Sequence, residues 1–97
     1  MRVMCERHEF LLRVLLAAFR EAGNPRDGVP VAGLASRLHG TKEADRFWTF
    51  CAEADGSWAC DGLEEDVERL HLRGYLYATP EGTAIPTRRA SLLLEPG

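Results

Sequence analysis

The sequence predicts one domain over residues 1–97, mainly α with a small β component (α+β). Three observations lead there. Four stretches carry apolar residues at helical spacing, and a strand–turn–strand signal lies at 75–85. The composition is that of an ordinary globular core, 45% hydrophobic and 28% charged in 97 residues. A chain this size buries roughly 60–70% of its unfolded surface, enough for one core without metal or disulfide support.

The first helix is expected over 6–22, where helix formers run without Gly or Pro until Gly23. Glu9 and Arg13 form an i,i+4 pair in the favourable order. Phe10, Leu11, Leu12, Val14, Leu15, Leu16, Ala18 and Phe19 cover most of its circumference. That surplus of apolar surface predicts burial at the centre of the fold, with one remaining strip closed by a second copy in a homodimer through 6–22. The alternative is that Phe47, Trp48, Phe50 and Trp58 close the strip within one chain.

Residues 23–28 read as a loop. A second helix follows over about 30–39, with Pro30 at its first position, Gly40 as its C-terminal cap, and Val31, Leu34, Ala35 and Leu38 as one buried stripe. Thr41 is expected to cap a third helix over 42–54, because Ala44, Phe47, Trp48 and Cys51 repeat at i, i+3, i+4, i+7. A hairpin around Asp55-Gly56 competes with that reading over 47–60. Asp61, with Glu64 three residues on, predicts a capped helix over 62–73 on the stripe Leu63, Val67, Leu70. Tyr75 to Thr79 and Thr83 to Ile85 are strands around Pro80-Glu81-Gly82, and Pro86 places the second strand's end or an edge. Thr87 is expected to cap a short helix, Arg88 to Leu94, docked by Leu92, Leu93 and Leu94.

The segment from Leu63 through Gly74-Tyr75-Leu76, the hairpin, and Ile85-Pro86-Thr87-Arg88-Arg89-Ala90 resembles the second half of winged helix-turn-helix domains. The order of elements is similar over about 6–94, and the specific pattern lies at 63–90. The resemblance implies a winged helix with an inserted helix or hairpin between the second helix and the helix preceding the wing. The chain departs from the family there, because Thr41 to Gly62 fills what is usually a short connection. It also departs in charge. Asp61, Glu64, Glu65, Asp66 and Glu68 crowd the helix whose start would meet bases, so the family's DNA-reading residues are not carried over to 61–68.

Net charge is −3, with 12 basic and 15 acidic residues, which counts against a dedicated nucleic-acid binder. The expectation is still a small cytoplasmic DNA-binding transcriptional regulator, as the resemblance implies. Its candidate DNA contacts are Arg37, Lys42, Arg46, Arg69, Arg73, Arg88 and Arg89. The rival is a winged-helix interaction or adaptor module that meets a basic protein through Glu64, Glu65, Asp66 and Glu68. Cys51, Cys60, His39 and His71 lack the paired spacing of a metal site. Cys5, His8 and Asp61 belong to no nucleophile motif, so no enzyme and no cofactor is expected. Three cysteines without a C-x-x-C unit read as reduced thiols. The longest nearly apolar run, Phe10 to Phe19, is interrupted by Arg13 and is far below the roughly 20 residues a membrane helix needs.

Overall fold

A computed structural model describes residues 4–94. Helix α1 spans Glu6–Glu21. Leu11, Leu12 and Leu15 are wholly buried, Leu16 and Ala18 nearly so, and Phe10 packs its ring 6.1 Å from Phe47 and 6.3 Å from Trp48. Arg13, Ala17 and Arg20 form the exposed side, with Arg13 held by Glu9 at 3.0 Å. Residues of the same chain cover most of the apolar surplus of α1, while Phe10, Val14 and Phe19 stay half-buried.

A short strand that the sequence pattern does not reveal, β1 (Val29–Pro30), precedes helix α2 (Val31–His39). Pro30 thus ends the strand just outside the helix, with φ −58°, instead of opening its first turn. Gly28 makes the strand possible. It sits at φ +86°, and a Cβ there would lie 2.8 Å from the Ala84 carbonyl oxygen and 2.7 Å from Ile85 Cγ1. Leu34, Ala35 and Leu38 form the buried stripe as expected. Gly40 is right-handed, so α2 does not use the left-handed cap that glycine usually supplies.

The helix expected over 42–54 is absent. The Thr41 hydroxyl donates back to the Leu38 carbonyl at 2.8 Å, finishing α2 instead of starting a helix. One 3-10 turn, Glu43–Arg46, is followed by a hairpin of β2 (Phe50–Ala52) and β3 (Trp58–Cys60). Ala44 and Trp48 do share a buried face, and the tight turn alone satisfies that spacing. Beyond Trp48 the turn chemistry wins. The Asp55 carboxylate accepts from Ser57 N at 3.0 Å and Ser57 Oγ at 2.6 Å, and Glu53 N donates to Ser57 O at 2.9 Å. Cys51, which the helix would have buried, is exposed. The hairpin is fastened to the end of α2 by His39, which stacks on Trp58 at 3.7 Å and meets the edge of Phe50 at 5.3 Å.

Helix α3 (Leu63–Leu72) starts from Gly62 at φ +83°, a conformation open to glycine. No side chain caps it, so the Asp61–Glu64 box does not form; Asp61 instead donates its backbone N–H to the Thr49 carbonyl at 2.9 Å. After α3 come β4 (Leu76–Ala78) and β5 (Thr83–Pro86). The sheet order is β1-β5-β4, all antiparallel, with Tyr77 opposite Ile85 and Val29 opposite Ala84. Strand β5 is central, and Pro86 lies at its end beyond the reach of β1, where its missing N–H costs nothing. Thr87 donates its hydroxyl to the Gly74 carbonyl at 2.7 Å and thereby ties the start of α4 (Arg88–Leu94) to the end of α3. Leu93 and Leu94 pack on the core, while Leu92 is exposed. No helix among the described residues is long and apolar enough to cross a membrane.

Candidate interaction surface

Helix α3 determines what the molecule shows to a partner, and its inner face is not wholly apolar. Leu63, Asp66, Val67 and Leu70 all point inward. Asp66 was expected among the exposed acidic residues, yet it is 6% exposed and forms a buried junction. Its Oδ2 accepts from Arg7 Nε at 2.8 Å and from Trp48 Nε1 at 2.7 Å, with Arg7 Nη2 also at 2.7 Å. Its Oδ1 faces His8 Nε2 at 3.2 Å. The Arg7 guanidinium also lies over the Trp48 ring at 5.2 Å. Asp66 thus joins α1, the connection after α2, and α3. It is withdrawn from any outward role. A carboxylate three residues after Leu63 and four before Leu70, on the apolar stripe itself, was the sequence signal for this burial.

The outward face of α3 carries Glu64, Glu65 and Glu68, all exposed, beside Arg69. These four side chains line an open hollow of about 310 Å³. Among the described residues none of the three glutamates forms an ion pair, and Arg69 is not paired with Glu65. At 3.6 residues per turn, Glu65, Glu68 and Leu72 fall in one row opposite the buried stripe. Leu72 is 74% exposed. Glu64 and His71 flank that row on one side, and His71 packs 5.5 Å from Tyr77 of β4, itself half exposed. Arg69 and Arg73 flank it on the other.

The basic candidates do not form one surface. Arg37 pairs with Glu21, and Arg46 pairs with Glu6 at 3.3 Å while lying over Phe47 at 5.2 Å. Glu6 and Glu21 are the two ends of α1, separated by about 22 Å at 1.5 Å per residue. Arg37 and Arg46 are therefore anchored far apart, and the helical i,i+4 relation expected of Lys42 and Arg46 does not exist. Lys42 is exposed. Arg73 and Arg89 do converge, both over the buried Tyr75 ring, at 5.8 and 4.7 Å, with Arg88 exposed alongside on α4.

The described residues contain no cluster of three or more metal-ligating side chains. Burial pushes the Cys60 thiol up to about 11, with Asp66 and Asp61 adding to the rise and Arg7 opposing it. The thiolate, the nucleophilic form, is thus disfavoured at neutral pH. Two consequences follow for measurement. Under native conditions a thiol reagent should modify the exposed Cys5 and Cys51 quickly and Cys60 slowly, until denaturant equalises all three; equal native rates would contradict this burial. Because the folded-state value is raised, the contribution of Cys60 to stability is complete at neutral pH. It is lost as pH climbs past the ordinary thiol value towards 11.

Comparison with family models, curated proteins and solved structures returned no match.

Proposed function

We propose that the chain is a winged-helix interaction module whose α3 face docks a basic protein. The winged-helix reading is supported by the element order and by the sheet order β1-β5-β4 immediately after α3. The observation that carries the function is the outward row of α3. It presents Glu64, Glu65 and Glu68 where a groove-reading helix would approach phosphate-lined DNA. The wing tip adds Glu81 and no basic residue between Tyr77 and Thr83. Phosphate contacts dominate DNA affinity, so three carboxylates without an ion pair among the described residues work against it at the point of approach.

A DNA-binding regulator is the second reading, favoured by one observation: Arg73 and Arg89 converge at Tyr75, close to Arg88. That cluster offers phosphate anchors beside α3.

Duplex DNA titrations at several salt concentrations separate the two. The interaction module gives weak retention with a shallow salt slope, and the triple variant Glu64→Lys, Glu65→Lys, Glu68→Lys raises both affinity and slope. Tight wild-type binding with a steep slope, lost in Arg73→Ala and Arg89→Ala, would establish the regulator instead.

A further inference from the structure

Leu72 and Tyr77 have no role in the fold that accounts for their exposure. Leu72 closes the outward row of α3 at 74% exposure, and Tyr77, 50% exposed, packs against His71, the residue before Leu72. Soluble surfaces carry single exposed apolar residues routinely, but Leu72 lies at the end of the acidic row of α3, and Tyr77 of β4 packs against the adjacent His71. The surface is therefore graded. The outward residues of its first turns are anionic, and its last turn sets the exposed Leu72 between His71 on one side and Arg69 and Arg73 on the other.

The β4 edge restricts what can dock there. Ala78 N, on the outer side of β4, already donates to His71 Nδ1 at 3.1 Å. A strand added to the sheet at this edge would have to displace that bond, so strand addition is disfavoured. A helix laid along α3 leaves that bond intact.

We infer that the occupant is an amphipathic basic helix of a partner protein, with Lys or Arg against Glu64, Glu65 and Glu68 and an aliphatic or aromatic side chain against Leu72 and Tyr77. This rests on the interaction reading above and adds the apolar anchor to it. The charges set orientation and rate of encounter, and the anchor supplies the affinity that rim charges do not.

The test uses two synthetic helical peptides of equal charge, followed by amide chemical shifts of the full chain. One carries paired lysines and, two turns on, leucines; the other has serine in place of each leucine. The Lys/Leu peptide should bind about tenfold more tightly than the Lys/Ser peptide, the scale of one largely buried leucine. Its shifts should run from Glu64 to Leu72 and reach Tyr77. The Leu72→Ser variant, altered at an exposed site, should abolish that tenfold preference and leave the Lys/Ser affinity unchanged. If the preference survives Leu72→Ser, or the shifts fall elsewhere, the anchor is wrong. If the Lys/Ser peptide binds in a way that Glu64→Gln, Glu65→Gln and Glu68→Gln together do not weaken, the acidic docking reading itself fails.

Discussion

Asp66→Ala should destabilise the fold by about 3 kcal/mol, measured by urea denaturation, the lower end of the range for breaking a buried ion pair. The lower end applies because the Arg7 side chain remains 34% exposed and can recover water. The larger part of the loss comes from what is left behind. The Trp48 indole N–H, buried at 4% residue exposure, loses its acceptor at 2.7 Å, and His8 loses its contact at Nε2. Nδ1 of His8 is already buried without a partner among the described residues, so the imidazole would then have none at either nitrogen. Asp66→Asn keeps an acceptor oxygen of the same shape and should fall between the wild type and Asp66→Ala. A loss under about 0.5 kcal/mol in Asp66→Ala, the scale of an ordinary surface change, would mean that the junction does not form.

Leu70→Ala should cost about 2–5 kcal/mol. Leu70 is completely buried in the cluster that contains Leu11, Leu12, Leu15, Leu34, Leu38 and Leu76. Truncation removes apolar contact and leaves a cavity between elements that are too tightly cross-connected to collapse into it. The midpoint of denaturation should fall without a change in slope. A neutral result would place the α3 stripe outside the core.

The long periodic elements were legible because periodicity is a local property. The stripe of α1, the Leu34–Ala35–Leu38 face and the strands on either side of Pro80-Glu81-Gly82 could each be read within a dozen residues. The segment 42–54 was misread for the same reason. Ala44, Phe47 and Trp48 meet a helical template, but a 3-10 turn meets it as well, and the competing hairpin around Asp55-Gly56 is the arrangement that forms. Strand β1 has two residues and exists only because Gly28 lets it lie against β5. The candidate surface was partly legible. Glu64, Glu65 and Glu68 are outward, whereas Asp66, adjacent in sequence and identical in charge, is not. Its partners Arg7, His8 and Trp48 lie 59, 58 and 18 residues away, and no local window contains them. Leu72 falls outside the stripe Leu63, Val67, Leu70, and local spacing alone does not tell an exposed leucine on a helix from a buried one.

Those same separations shape how the chain reaches its native state. By content the molecule is helical, and helical proteins that make mostly neighbouring contacts collapse quickly. Here the defining contacts close very large loops, both at the carboxylate of Asp66 and at the pairing of β1 with β5. The entropy of closing such loops is lost before any contact stabilises them. Refolding measured by stopped flow should therefore be slower than for a helical bundle of the same length. Until that closure, the apolar side of α1 is covered only in part, by α2 and the turn after it.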